Sequence, residues 1–127
     1  MRLITGGMFQ GQLEYALLLA GLDESQVVDG ASCDYEDIMD AKLISNFHLL
    51  IKRRLEEELP VAEYVMDFID KNSRADVIVD EIGCGVVPAT AFDRLYRETT
   101  GRMSCELAKA SDEVYRVFCG VATKIKG

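Results

Sequence analysis

The fold of this chain is decided by residues 1–14, which read MRLITGGMFQGQLE. The pattern predicts a short buried strand over residues 2–5, a glycine loop over residues 6–11 and a helix over residues 12–20. A strand, a glycine loop and a helix in this order are typical of a loop that binds phosphate through backbone N–H groups at a helix N-terminus. The loop over residues 6–11 is therefore a candidate phosphate-binding site.

The loop departs from the phosphate-loop pattern at its two chemically active positions. Gly6 and Gly11 have the required four intervening residues, but Gln12 stands where a lysine is expected and Leu13 where a hydroxyl is expected. Gln12 can donate hydrogen bonds without carrying a charge, and Leu13 cannot coordinate magnesium. From the spacing alone, a phosphate-binding loop and a glycine turn needed only for close packing are equally open.

Composition restricts the class of protein. The chain has 127 residues, 49% of them apolar, and a formal net charge of −8, which disfavours a nucleic-acid groove. No apolar run approaches the roughly 20 residues of a membrane span, and glycines interrupt the N-terminal apolar stretch. The four cysteines lack metal-ligand spacing. We expect a single domain, residues 1–127, in the cytoplasm, with reduced thiols and neither nucleic acid nor membrane as partner. No residue is assigned as a metal ligand, and magnesium as a cofactor is left open.

The rest of the chain alternates predicted strands and helices. Strands are predicted over residues 26–29, 76–82 and 114–119, and residues 121–125 form either an extension of the last strand or a hairpin arm. A long amphipathic helix is predicted from about Ala41, a second one after Pro60, and a third from Pro88, interrupted at Gly101 and followed by a separate helix. This order predicts an α/β three-layer sandwich with a short, mostly parallel sheet, whose ligands bind beyond the carboxyl ends of the strands.

Acidic residues follow two of the predicted strands at that edge. Asp29 is a candidate magnesium-orienting acid or a surface turn residue. Glu81 is a candidate general base or ligand-binding group, or alternatively a cap, and Gly83 and Gly85 would let a ligand approach closely. His48, the single histidine, is predicted to lie on the flank of its helix rather than to act as a nucleophile.

Four stretches resemble one protein family. Residues 3–7 (LITGG), 80–88 (DEIGCGVVP), 101–102 (GR) and 112–114 (DEV) are similar to motifs of the adenosylcobinamide kinase / adenosylcobinamide-phosphate guanylyltransferase family. The resemblance implies a P-loop, RecA-like protein of cobalamin assembly. It further implies an oligomer that phosphorylates adenosylcobinamide with ATP or GTP and then transfers GMP from GTP through a covalent histidine.

The resemblance also assigns roles to residues. Nucleotide binding is predicted for Gly6, Gly7, Met8, Phe9, Gln10, Gly11, Gln12 and Leu13. Asp29 and Glu81 are the predicted catalytic residues, and Gly83, Gly85 and Arg102 the predicted substrate-binding residues. The family's guanylylation segment, which contains a histidine, paired arginines and a tryptophan, has no counterpart in this chain. The sequence therefore predicts either a kinase-like nucleotide-binding protein with a degenerate loop or a non-catalytic module that binds a corrinoid or a partner protein.

Overall fold

The computed structural model describes residues 1–82 and 90–127 of the chain. Those residues form six strands and four α-helices. The strands are β1 (Arg2–Gly6), β2 (Val27–Asp29), β3 (Leu43–Ser45), β4 (Asp76–Asp80), β5 (Glu113–Phe118) and β6 (Val121–Lys126). The helices are α1 (Gln12–Ala20), α2 (Phe47–Glu56), α3 (Ala62–Lys71) and α4 (Ala91–Ala110). No helix among these residues is long and apolar enough to cross a membrane.

The strands form one sheet in the order β2-β3-β4-β1-β5-β6. All neighbouring pairs are parallel except β5 and β6, which form an antiparallel hairpin and so confirm the hairpin-arm alternative. In β1, Leu3 lies between Val77 of β4 and Val114 of β5. The apolar run of β4 suits a strand that is covered on both faces of a parallel sheet. The predicted, mostly parallel α/β sheet is confirmed.

Helices cover both faces of the sheet, which completes the predicted three layers. On one face, Phe47 of α2, Phe68 of α3 and Leu107 of α4 are fully buried in the larger apolar core. On the other face, Ala16 of α1 is fully buried with Ile4 of β1 in a smaller cluster. Both cores pack against β1 and β4, and the carboxyl ends of these strands carry the candidate site.

The predicted long helix from about Ala41 is wrong at its beginning. Residues 43–45 form β3, which pairs with β2 and β4, and α2 begins only at Phe47. Asn46 separates the two elements with a φ of 53°. The three strand residues continue the apolar spacing of the helix that follows them, so hydrophobic periodicity alone cannot separate the elements.

The predicted interruption at Gly101 is also wrong, because α4 is continuous from Ala91 to Ala110. Gly101 is exposed within the helix, where glycine costs helix propensity without breaking the hydrogen-bond ladder. The predicted start of this helix at Pro88 lies outside the described residues.

Gly101 and Gly21 provide a matched test of whether α4 is continuous, because an added Cβ would meet no atom within 4 Å at either position. Gly101→Ala should stabilise the protein by about 0.5–1 kcal/mol, because alanine favours a helix interior. Gly21→Ala should destabilise it by about 1–2 kcal/mol, because Gly21 caps α1 with a φ of 68°. Urea unfolding of both variants measures the two effects. Destabilisation by Gly101→Ala would contradict a continuous helix.

Candidate functional site

A cavity of about 470 Å³ lies at the carboxyl edge of the sheet. Its walls are the loop between β1 and α1, the first turn of α1, and the residues at or just beyond the ends of β2, β3 and β4. This is the edge at which parallel α/β sheets bind their ligands. The structure thus brings together the glycine loop and Asp29, as the sequence predicts.

Both spaced glycines of the loop are required by its geometry. A Cβ on Gly6 would lie 2.5 Å from the carbonyl oxygen of Val117, so only glycine fits without a shift of the backbone. Gly11 precedes α1 with a φ of 98°, a conformation that favours glycine. The spacing that resembles a phosphate loop therefore has a packing reason here, whether or not phosphate binds.

The side chain of Gln12 points inward and bonds the loop to the end of β4. Its side chain is buried, and Nε2 donates hydrogen bonds to the carbonyl oxygen of Gly7 at 2.6 Å and to Oδ1 of Asp80 at 3.2 Å. A primary amide has two hydrogens to donate, and these two bonds use both. Gln12 therefore occupies the lysine position of a phosphate loop with no charge and no spare donor.

Asp80 connects the loop to the single histidine. The backbone N–H of Asp80 donates to Nδ1 of His48 at 3.2 Å, and His48 Nε2 lies 3.7 Å from Asp80 Oδ2. Because Nδ1 accepts, the hydrogen-bond pattern assigns the proton of the neutral ring to Nε2. His48 lies in α2 next to Phe47, and it is buried.

Burial dominates the protonation of this pair. It lowers the pKa of His48 despite the opposing effect of the Asp80 carboxylate, and it raises the pKa of Asp80 despite the opposing effect of His48. Removing a group from water disfavours its charged form, whichever the sign of the charge. His48 is therefore neutral near pH 7 and does not supply a positive charge to the cavity.

Asp29 lines the cavity from the end of β2. Its Oδ1 accepts hydrogen bonds from the N–H of Ala31 and from Nδ2 of Asn46, both at 2.9 Å. These two bonds fix the carboxylate at the junction of β2 and β3. Asn46 was not singled out from the sequence, although an asparagine after a short apolar run is a signal for a left-handed φ.

The other predicted site residues lie elsewhere. Glu81 forms a double hydrogen bond with Arg116, at 2.8 and 3.0 Å, and lines a separate cavity of about 230 Å³ beside α4. Arg102 is exposed on α4. Gly83 and Gly85 lie outside the described residues.

The site acid that sequence reasoning missed is Asp80. The sequence favours Glu81 as the site acid because it precedes Gly83 and Gly85. In the structure, Asp80 is the acid at the end of β4 that lines the cavity beside the glycine loop of residues 6–11. The register places Asp80 directly opposite Gly6 across β1 and β4. That pairing could have been inferred only from a correct strand order.

The described residues do not fit a magnesium triphosphate bound in the manner of a phosphate loop. No Lys, Arg or His is among the described residues that line the cavity, whereas Glu14, Asp29 and Asp80 are. Leu13 has no oxygen for a metal, and no group of three or more His, Cys, Asp or Glu in residues 1–82 and 90–127 is arranged to hold one. We therefore derive no phosphoryl-transfer step through such a group.

Comparison with known proteins shows the class to which this α/β fold belongs. A model of the family "cobinamide kinase / cobinamide phosphate guanyltransferase" matches residues 23–125, so the chain belongs to that family. Two similar curated proteins are called bifunctional adenosylcobalamin biosynthesis protein CobU. The one from Salmonella typhimurium is 40% identical and the one from Escherichia coli K12 is 38% identical, each over 50 residues.

Those two alignments cover 39% of this chain and 28% of each relative. The family match begins after the glycine loop and α1, so family membership does not depend on residues 6–13. The resemblance seen in the sequence is confirmed as family membership. The matched residues do not include the glycine loop, so the match says nothing about what the loop binds.

Because the chain has a single histidine, its titration can be measured directly. The unfolded chain protonates its histidine near the ordinary pKa of about 6.5, whereas in the folded protein the lowered pKa of His48 keeps its ring neutral at that pH. The free energy of unfolding should therefore decrease as the pH falls below about 6.5, by up to about 1.4 kcal/mol per pH unit from this residue. Urea unfolding between pH 7.5 and 5.5 measures it.

The control for this prediction is His48→Gln, which keeps a side-chain oxygen to accept the Asp80 N–H and does not titrate. Its stability should change less steeply over the same pH range than that of the unsubstituted protein. The raised pKa of Asp80 acts in the opposite sense, so the difference between the two proteins isolates His48. Equal slopes would show that His48 is not kept neutral by the fold.

Proposed function

We propose that this protein binds a corrinoid or a nucleotide of cobalamin biosynthesis in the cavity beside the glycine loop, and that it does not transfer a phosphoryl group. The observation that carries the proposal is the side chain of Gln12, which is buried and donates both of its amide hydrogens to the protein itself. Family membership supports the pathway.

Phosphoryl transfer depends on positive charge placed around the transferring group. A lysine in the loop supplies such charge in phosphate-loop enzymes, and a hydroxyl after it holds magnesium. Here Gln12 stands in place of the lysine, and its neutral amide is already bonded to Gly7 and Asp80. Leu13 stands in place of the hydroxyl residue, so both the positive charge and the magnesium ligand are missing. The cavity keeps its place in the fold without the side chains that the reaction needs.

Guanylyl transfer is disfavoured by a separate observation. It requires a histidine that can be guanylylated, and the chain has only His48. The Nδ1 of His48 accepts from the Asp80 backbone, and its Nε2 faces the Asp80 carboxylate at 3.7 Å. A ring held in this way and buried does not present a nucleophilic nitrogen to a nucleotide.

Binding itself is supported by the loop and the cavity walls. Within the described residues, the backbone N–H groups of residues 8–11 donate no hydrogen bond to another protein group. Asp29 and Asp80 add carboxylate acceptors at the opposite wall. A small polar ligand would find both donors and acceptors in this cavity.

A kinase activity is the second candidate, favoured by the retained strand–loop–helix geometry with Asp80 opposite Gly6. It requires a cation from elsewhere, either Arg102 or a neighbouring subunit. For both candidates we propose a cytoplasmic protein that assembles as a homo-oligomer, as the family resemblance implies.

Calorimetry and a turnover assay test the proposal together. The protein is titrated with cobinamide, GTP and ATP, each with and without magnesium, and is then incubated with cobinamide and each nucleotide. We expect binding of at least one of these ligands and no phosphorylated product above a protein-free reaction. Product formation by the unsubstituted protein would overturn the proposal in favour of the kinase candidate.

Restoring the lysine and the hydroxyl tests whether the loop can still bind a nucleotide and whether only these two side chains are missing for phosphorylation. Gln12→Lys with Leu13→Ser should introduce magnesium-dependent nucleotide binding, and any phosphorylation should require both substitutions. Leu18→Lys is a charge-matched control, because Leu18 is 82% exposed on α1 and does not line the cavity. Equal nucleotide binding by the control and the double variant would show that the restored loop is not the site.

A further inference from the structure

We infer that the cavity beside the glycine loop selects a ligand that presents uncharged or cationic hydrogen-bond donors, and that it discriminates against a polyphosphate. The inference rests on the proposed function, because it names the class of ligand for the same cavity. The proposed function allows a corrinoid or a nucleotide, and this inference says which chemical groups of such a ligand the cavity favours.

The charges that line the cavity have one sign. Glu14, Asp29 and Asp80 contribute carboxylates, and no cationic side chain is among the described lining residues. A carboxylate is an acceptor only, so a ligand group that bonds to these three side chains must bring the hydrogen. Phosphate oxygens are also acceptors and carry negative charge, so the charged groups that they would meet in this cavity repel them.

The nearest nitrogen side chains do not compensate for these carboxylates. Gln12 is neutral and directs both donors to protein oxygens, and burial keeps His48 neutral behind Asp80. The second oxygen of Asp29, Oδ2, accepts no hydrogen bond from the described residues, although Oδ1 accepts two. Oδ2 of Asp29 is therefore an acceptor available to an amide, amine or hydroxyl of a ligand.

Glu14 places a negative charge where a phosphate would bind. It lies in the first turn of α1, and its Oε2 is 3.9 Å from the position that a Cβ on Gly11 would take. Negative charge is favourable at a helix N-terminus, and here the protein supplies that charge itself. A phosphate at the loop would have to approach this carboxylate.

The rim adds apolar surface. Met8 and Phe9 line the cavity and are 66% and 93% exposed. Phe9 has a φ of 60°, which is uncommon for an aromatic residue and holds it at the tip of the loop. The combined surface suits a molecule that carries amide or amine groups on a partly apolar frame better than it suits a nucleoside triphosphate.

Guanosine and GTP form a matched pair of probes, because they differ only in the triphosphate, and cobinamide is the amide-bearing probe. Calorimetry on the unsubstituted protein, with and without magnesium, should show that cobinamide and guanosine bind about tenfold or more tightly than GTP. Tighter binding of GTP than of guanosine would overturn this inference and leave the proposed function standing. No binding of any probe would overturn both.

Glu14→Gln tests the charge directly. It should raise the affinity for GTP severalfold and should not raise the affinity for guanosine, since only the triphosphate is repelled by this carboxylate. Glu63→Gln is the control, because Glu63 is an exposed acid in the first turn of α3 and does not line the cavity. An equal gain in GTP affinity for both variants would reduce the effect to net charge and overturn the inference.

Discussion

The side-chain amide of Gln12 joins three parts of the molecule at the carboxyl edge of the sheet. It bonds to the loop at Gly7 and to β4 at Asp80, and Asp80 in turn is bonded through its backbone to His48 of α2. Buried polar groups of this kind stabilise a fold only when each has its partner. The arrangement fixes the loop, and it also uses both side-chain donors at the position where a phosphate loop has its lysine.

Most of the fold could be predicted from the sequence because its strongest patterns are local. The run at residues 76–80 and the glycine loop after residue 5 identify a parallel sheet and its first turn without tertiary information. Leu43–Ser45 could not be identified, because the apolar residues Leu43 and Ile44 in front of Phe47 continue the helical spacing. Only the pairing of this segment between β2 and β4 distinguishes it from the helix.

The candidate site shows the same division. Asp29 could be placed at the cavity from its position at the end of a short strand, since strand ends converge on one edge of a parallel sheet. Asp80 is the last residue of β4 and Glu81 follows it, and of these consecutive acids only Asp80 lines the loop cavity, whereas Glu81 pairs with Arg116. Which of the two faces the loop depends on β4 lying next to β1, and strand order is a property of the whole fold. His48 reaches Asp80 from a helix 32 residues earlier in the chain, which no local pattern indicates.

The conformation of the loop does not require an anion. Gln12 holds it from inside, and Gln10 holds it from outside: its carbonyl oxygen accepts from the N–H of Gly120 at 2.8 Å and its Oε1 accepts from the N–H of Cys119 at 2.7 Å. In a phosphate-binding loop, the bound anion satisfies the backbone N–H groups and a lysine adds charge. Here two glutamines supply the contacts that order the loop, and Glu14, Asp29 and Asp80 place carboxylates in the cavity wall. The loop has the glycine spacing of a phosphate loop, whereas carboxylates are the charged groups that line its cavity, and for this reason we propose that the carboxylates rather than the glycines determine ligand choice.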